Sequence, residues 1–539
     1  HGQVEIADAA TGRIAVVLDG GLATRPDDGA TTDLWHLEGE VDPPERTGTV
    51  TVTVDDVALG PVAEAFTAFP WLDVSRARFD GKWTVTRRPG VWDVAARGDV
   101  EGVTVHHPLL ASTPIDGLDG TVDVAARWNE RDRALHVEHL EVSRHGARFV
   151  VSGLISRPFD GAHRRLAMTA RVPEVDCAAV LDALGPDLLP ALSGFRLGGR
   201  FAAEVTLEAD FADLESLRLG GRVGIDGCRV LSTPARAHPS RLRSPFTHRV
   251  QLRDGSVRLI RLFPGSGSFT SLDGISPYMV AAVLTTEDGG FFRHRGFLPS
   301  QFEQALRRNL EAGRVRLGAS TITMQLAKNL FLSHERTISR KLQELFLTWH
   351  LERVLDKRRI LELYLNIVEF GPGVYGVTEA ARHYFGKHPR ELTPLEAFYL
   401  AAMLPSPVRR HVHHCRGHLS KRFAAKLRRL LAIAADRGRI DAATYETWKD
   451  AELVFVPAPE DGDEATCLAR IERLVGASRQ QAALSGLVAA GPAGPVLPPP
   501  PVAVERPATG FGASGDGVAD AEPAEDVPAM DAPDPAPGN

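Results

Sequence analysis

The chain has 539 residues, too many for one ordinary hydrophobic core, so two or three domains and a tail are expected. With 43% hydrophobic and 24% charged residues it has the make-up of a soluble globular protein, which argues against a wholly disordered or fibrous chain. The net charge of −7 hides an uneven spread: residues 489–539 hold eight acids and one Arg, whereas residues 271–460 hold 28 Lys and Arg against 20 Asp and Glu. A basic middle suits an anionic partner such as phosphate, pyrophosphate or anionic lipid. Nucleic acid is disfavoured, because the sequence holds no zinc finger, RNP-type aromatic motif or heptad-linked basic helix.

Residues 1–245 read as a β-rich domain. Thr49-Val50-Thr51-Val52-Thr53-Val54 alternates strictly, as a strand with one buried face does. Lys82–Thr86 and Val91–Val94 flank Arg87-Arg88-Pro89-Gly90 and read as a hairpin. Further short strands recur at Gly120–Val124, Ala147–Val151 and Arg200–Val205, and Arg-Leu-Gly-Gly-Arg occurs at both 196–200 and 218–222. Repeated strands imply a long sheet that hides its apolar face by stacking or curling. One helical interruption is expected near Asp176–Leu192. The four cysteines include no CxxC pair. Cys177 and Cys228 pair if this part lies outside the cytoplasm, and are buried free thiols otherwise.

Residues 246–275 read as a turn-rich connector, with Phe263-Pro264-Gly265-Ser266-Gly267-Ser268 at its centre. From 276 to 457 the pattern turns helical, with helices expected over 277–287, 299–312, 320–331, 334–355, 357–367, 374–384, 394–403, 419–437 and 441–449. A short helical segment is expected within 458–488. Residues 489–539, rich in Ala, Pro, Gly and acid, read as a disordered tail that cannot bury enough surface to offset chain entropy. No apolar run approaches the roughly 20 residues that span a bilayer, and no signal peptide is present. The chain begins at His1, so an anchor upstream is expected.

Three blocks carry chemistry. Glu287-Asp288 ends an apolar run and is followed by Phe291, Phe292, His294 and Gly296. A carboxylate against apolar groups loses hydration and its pKa rises, which makes it a usable proton acceptor; the bland alternative is a solvated helix end. Gly318-Ala319-Ser320-Thr321 opens a helix that carries Thr323, Gln325, Lys328 and Asn329. Small residues at a helix N-terminus suit a phosphate, or form an ordinary cap. Arg340, Lys341 and Glu344 fall within about one helical turn, as a pyrophosphate site or as a surface ion pair.

Taken together, Glu-Asp-x-x-Phe-x-x-His-x-Gly, Gly-Ala-Ser-Thr-Ile-Thr-x-Gln-x-x-Lys-Asn and Arg-Lys-x-x-Glu resemble the family 51 glycosyltransferases, the peptidoglycan glycosyltransferases of class A penicillin-binding proteins and their monofunctional relatives. Arg359–Asn366 with Gly371, Gly376 and Tyr384-Phe385-Gly386 resembles the family's fourth motif. Leu392-Thr393-Pro394-Leu395-Glu396-Ala397 resembles the fifth. The match covers roughly 270–410. Met324 departs from the family's usual Gln, and Phe269 from its frequent Trp. The resemblance implies a mostly α-helical, lysozyme-like, two-lobed domain that polymerises lipid II into β-1,4 glycan and releases polyprenyl pyrophosphate. Glu287 would be the general base. Glu344, Arg340, Lys341 and Lys328 would stabilise the leaving pyrophosphate, with Mg²⁺ held at Glu344. Asp288, Phe291, His294, Gly296, Gly318, Ser320, Thr321, Thr323, Gln325 and Asn329 would line the substrate site.

The expected place is the bacterial cell envelope, at the periplasmic face of the inner membrane. The expected partners are lipid II, the growing glycan, the membrane surface and other cell-wall synthesis proteins. Arg307, Arg308, Arg314 and Arg316 among Phe302, Leu306 and Leu310 suit an anionic membrane surface. The N-terminal part resembles the AsmA-like repeat domains of envelope proteins, which implies a lipid there. No Ser is followed three residues on by Lys and no Lys-Thr-Gly occurs, so transpeptidase activity is not expected. Gly371-Pro372-Gly373-Val374-Tyr375-Gly376 matches GxGxxG but follows a helical run, so a nucleotide loop is not expected. His411, His413, His414, Cys415 and His418 have metal-ligand composition, and the reading preferred here is a solvated basic loop. The rival functions are a lysozyme-like peptidoglycan hydrolase and a non-catalytic lipid-binding scaffold.

Overall fold

The computed structural model describes residues 2–8, 13–20, 35–67, 70–252, 256–311, 320–333, 337–457 and 461–489. Gly318, Arg314, Arg316 and all but the first residue of the expected tail lie outside these. The first half is one sheet of fourteen antiparallel strands. They are β1 (Gly2–Asp8), β2 (Arg13–Gly20), β3 (Trp35–Asp42), β4 (Thr47–Ala58), β5 (Leu72–Asp73), β6 (Arg78–Arg88), β7 (Val91–Val105), β8 (Ile115–Asn129), β9 (Ala134–Arg144), β10 (Ala147–Ser156), β11 (Arg165–Asp176), β12 (Arg196–Asp210), β13 (Asp213–Val223) and β14 (Cys228–Ser232). Strands follow one another along the sheet, except that β5 pairs with β7 and β14 with β12.

The alternation read from the sequence becomes a continuous apolar row. Leu18, Leu37, Val52, Trp83, Ala96, Val124, Leu140, Val151, Ala170 and Val205 are register partners in turn across ten strands. The other face is polar: Thr51 meets the Thr84 hydroxyl at 3.2 Å, and Asp93 accepts from Arg127 at 2.6 Å. Part of the apolar face stays open, with Val94 40% and Leu140 38% exposed. The expected hairpin at 87–90 is the Pro89-Gly90 turn between β6 and β7, with Gly90 at φ +71°. The repeated Arg-Leu-Gly-Gly-Arg places Gly199 at φ +94° and Gly221 at φ +126°. A Cβ on Gly199 would meet the Gly227 carbonyl just before β14, and one on Gly221 the Glu204 carbonyl of β12, so only Gly serves there.

The connector expected at 246–275 is a β-hairpin, β15 (Phe246–Gln251) and β16 (Val257–Leu262), with Ile260 and Leu262 buried. Strand formers at Val257–Leu262 outweigh the turn residues that follow them. A helix was expected near 176–192, and α1 (Cys177–Leu188) lies there. The Cys177–Cys228 disulfide ties its start to β14, and a second disulfide joins Cys415 to Cys467, a pairing that spacing alone did not suggest.

After a short α2 (Pro239–Arg243), the helical half comprises α3 (Pro277–Thr286), α4 (Pro299–Glu311), α5 (Ile322–Phe331), α6 (Ile338–Val354) and α7 (Lys357–Ile367). A small hairpin, β17 (Glu369–Gly371) and β18 (Val374–Tyr375), precedes α8 (Val377–Phe385), α9 (Pro394–Met403), α10 (Pro407–Arg410), α11 (Val412–Cys415), α12 (Lys421–Asp436), α13 (Ala442–Trp448) and α14 (Glu464–Ala489). The expected helices are present. Thr321, Thr337, Asp356, Thr393 and Ser420 each cap one by accepting a backbone N–H. Every residue of α9 is buried, and α9 packs against α3 and α12. The GxGxxG stretch is the β17–β18 hairpin, and Gly376 is held at φ +79° against the Asn366 carbonyl. The segment expected to be a solvated basic loop is α10 and α11, with His411, His413 and His414 buried. Their rings pack among aromatic neighbours, which a sequence window rich in Arg and His does not reveal.

The two halves share one apolar core, from Cys177 through Phe195, Phe246 and Leu262 into α3, α6, α7 and α9. Helix α6 is the junction. Phe195 meets Phe346 edge-on at 5.1 Å. Gln343 Oε1 accepts the Ala191 backbone N–H at 2.6 Å, Gln343 Nε2 donates to Ser339 Oγ at 3.1 Å, and Ser339 Oγ donates to the Leu188 carbonyl. We expect Gln343→Leu, which leaves the buried Ala191 N–H without an acceptor, to cost about 1–3 kcal/mol in urea unfolding. An unchanged midpoint would show that this clasp is dispensable.

Candidate active site

The first block sits where α3 ends. Glu287 is the C-cap of α3, and its Oε2 accepts from Gln325 Nε2 at 3.0 Å. The Gln325 amide is oriented in turn by Tyr364, whose hydroxyl donates to Gln325 Oε1 at 3.0 Å. Tyr364 is fully buried on α7, so the relay Tyr364–Gln325–Glu287 is anchored in the core. The second carboxylate oxygen, Oε1, is buried with no hydrogen-bond partner among the described residues. Burial pushes the Glu287 pKa up; the Gln325 hydrogen bond and the charges of Arg410 and Lys426 pull the other way. A carboxylate so held is a proton acceptor with one bare oxygen.

Asp288 does different work. It is buried, and it accepts from His294 Nε2 at 2.9 Å and from the Ile322 backbone N–H at 3.2 Å, at the first turn of α5. His294 Nδ1 accepts the Gly296 N–H at 3.0 Å, so the ring is a neutral strut between loop and helix. Thr321 Oγ1 donates to the Gly296 carbonyl at 2.7 Å. Gly296 has φ +86°, and a Cβ there would lie 2.7 Å from Thr348. Phe291 is buried beneath Lys357. Thr323 is buried and donates to Glu352. Asp288, Phe291, His294, Gly296, Thr321 and Thr323 are thus all engaged by contacts within the protein. Ser320, Gln325, Lys328 and Asn329 keep partial access to solvent.

The third block is on α6. Glu344 is buried and both its oxygens are engaged: Oε2 accepts from Arg340, and Oε1 from Lys341 Nζ at 2.7 Å. The side chains of Arg340 and Lys341 are 17% and 33% exposed. One carboxylate therefore holds two partly exposed cations. Arg340 Nε is buried and finds no protein acceptor among the described residues. Each Glu344 oxygen accepts from one cation and keeps a second lone pair, so a Mg²⁺ at Glu344 would share the carboxylate with Arg340 and Lys341.

Helix α5 joins the two ends. Gln325 and Lys328 are three residues apart, about 4.5 Å along the axis and on neighbouring faces. Gln325 touches Glu287, while Lys328 lies within electrostatic reach of Glu344, Arg340 and Lys341. Burial lowers the Lys328 pKa, and Glu344 partly restores it. An ammonium short of hydration gains most from an incoming anion. Sequence reading missed Arg410 and Lys426, whose charge reaches Glu287, and Arg439, which donates to the Gly289 carbonyl at 2.9 Å. They lie more than a hundred residues from Glu287 in a generally basic stretch, so no local signal marked them.

Residues 259–431 match the transglycosylase family profile. Over 164 residues the chain is 48% identical to a biosynthetic peptidoglycan transglycosylase of Alcanivorax borkumensis, covering 30% of this chain and 63% of that protein. Relatives of the same name from Nitrosospira multiformis and Nitrosomonas eutropha are 50% and 46% identical, over 25% and 29% of this chain and 58% and 64% of their own lengths. The chain thus spans about three fifths of the relatives it matches. Residues 259–431 thus match a transglycosylase domain, in keeping with the resemblance to the family 51 glycosyltransferases.

The raised Glu287 pKa has a signed consequence. A carboxyl whose folded pKa exceeds its unfolded value adds stability at low pH, and that contribution is lost as pH rises through the folded value. We expect Glu287→Gln to raise Tm at pH 8, with the gain shrinking toward acid. A constant or opposite difference across a Tm–pH series would contradict the desolvated carboxylate.

Proposed function

We propose that this protein is a peptidoglycan glycosyltransferase that polymerises lipid II into β-1,4 glycan and releases polyprenyl pyrophosphate, without transpeptidase activity. Glu287 takes the proton of the acceptor's 4-hydroxyl as that oxygen attacks the anomeric carbon of the growing chain. Polyprenyl pyrophosphate departs onto Lys328, Arg340 and Lys341. The observation that carries the reading is the single helix α5 that sets a dehydrated base at Gln325 and a cation at Lys328. Preset cations lower the barrier because they need not reorganise as negative charge develops. Glu344 keeps Arg340 and Lys341 aimed and needs no role of its own in bond making.

The same cations count against a lysozyme-like hydrolase, which has no pyrophosphate to receive. A lysozyme-like two-lobed arrangement of the helices fits this assignment. The place of action that follows is the cell envelope, and the two disulfides suit an oxidising compartment. No described helix is long and apolar enough to cross a membrane. Helix α4, with half-exposed Phe302, Leu306 and Arg307, offers a surface for anionic headgroups. The partly open apolar row of the large sheet offers one for an acyl or polyprenyl chain.

Purified chain should convert lipid II into polymer. Glu287→Gln should lose about 10²–10⁴-fold in rate. Lys328→Ala and Arg340→Ala should each lose about 10²-fold or more. Shortening of preformed glycan without polymer growth would favour the hydrolase; full activity of Glu287→Gln would remove the assigned base. Gln325→Leu removes a hydrogen bond that favours the ionised carboxylate, so the Glu287 pKa rises. The acidic limb of its kcat/KM profile should then move to higher pH.

A further inference from the structure

Behind the β17–β18 hairpin lies a second polar cluster that the glycosyltransferase chemistry does not use. His383 comes from α8, His411 and His414 from the α10–α11 turn, and Asp461 from the segment ahead of α14. All four are buried, and their ligand atoms all lie within 4.8 Å of one another. Asp461 Oδ2 is the centre: His411 Nε2 is 2.9 Å away, His414 Nδ1 3.0 Å and His383 Nε2 3.3 Å.

The outer ring atoms decide what the inner ones carry. His414 Nε2 lies 3.0 Å from the Val456 carbonyl oxygen. A carbonyl only accepts, so a neutral His414 keeps its proton on Nε2 and turns a bare lone pair at Nδ1 toward Asp461. The Tyr384 hydroxyl donates to the Phe370 carbonyl at 3.0 Å and lies 2.7 Å from His411 Nδ1. Its one proton being spent, it accepts from His411 Nδ1–H, and His411 Nε2 also faces Asp461 as a lone pair. Neutral imidazoles would therefore point lone pairs at a carboxylate in a dry interior, which is repulsive. A cation among them removes the conflict. A backbone carbonyl or hydroxyl holding the far N–H is the arrangement that fixes a metal-bound imidazole.

We propose that His383, His411, His414 and Asp461 form a four-coordinate site for a divalent transition-metal ion of the zinc type. Three imidazoles and one carboxylate suit zinc. Bonds of about 2.0–2.1 Å in a tetrahedron place ligand atoms about 3.3–3.4 Å apart, a small expansion of the 2.9–3.3 Å from Asp461 Oδ2 to the three imidazoles and within the 4.8 Å that bounds all four ligand atoms. Arg470 donates to Asp461 Oδ1 at 3.2 Å and so leaves Oδ2 for the metal. Cys415 and Cys467 come close to His411 but are bonded to each other and supply no thiolate. Four protein ligands in a buried site leave no open position, so the ion is structural. With the neighbouring disulfide it fastens the segment from Asp461 into α14 onto the transglycosylase domain.

The test uses the tag-free full chain, stripped by EDTA, exposed to Zn²⁺ alone or Co²⁺ alone, desalted and assayed for metal. About one zinc per chain is expected, with the visible absorption of four-coordinate cobalt and a higher Tm than the stripped form. His414→Ala and Asp461→Asn should fall to about a tenth of that stoichiometry or below. His413→Ala should keep it, because His413 packs instead on Phe423. His383→Gln, with folding checked by circular dichroism, guards against loss of metal through misfolding. A folded native chain that takes up no metal would mean that protonated imidazoles satisfy Asp461 instead, and would overturn the proposal. Equal uptake by His414→Ala would overturn it too.

Discussion

The arrangement depends on a carboxylate kept short of water and a set of cations kept short of counter-charge, both referred to one helix. Each is costly alone, because a buried charge loses hydration that a single partner seldom restores. Glu287 accepts a hydrogen bond from Gln325 at Oε2, and its Oε1 has no hydrogen-bond partner among the described residues. Lys328 is desolvated beside a carboxylate already committed to Arg340 and Lys341. The unmet demand on both sides is what a substrate bearing a hydroxyl and a pyrophosphate would satisfy, and α5 fixes the distance over which it must do so.

Much of the molecule holds that geometry rather than taking part in it. Asp288, His294 and Gly296 lock the loop after α3 onto the start of α5. Asn366 clamps Thr270 through the backbone N–H at 2.9 Å and the carbonyl at 2.8 Å. The first half contributes through α6: Ser339 and Gln343, beside the charged residues of that helix, are claimed by the backbone at Leu188 and Ala191, between β11 and β12. The helix that presents Arg340 and Lys341 is thus seated on the first half of the chain, and the two halves share a core.

The sequence by itself determined the strands, the helices and the three charged blocks, because period-two and helical apolar patterns, caps and short-range spacing are local properties. Thr49–Val54, the Pro89-Gly90 turn and the helices from 277 to 449 could all be read in this way. The hairpin at 246–262 was legible in Val257–Leu262 but was masked by the turn residues beyond it. Only the tertiary structure decided what each polar residue does, because burial and partners come from residues distant in the chain. It joined Asp288, His294 and Thr321 in one hydrogen-bonded cluster at the start of α5. It brought Arg410 and Lys426 to Glu287 and paired Cys415 with Cys467. It turned His411 and His414 inward, toward an Asp461 that lies some fifty residues further on and that no local pattern could have joined to them.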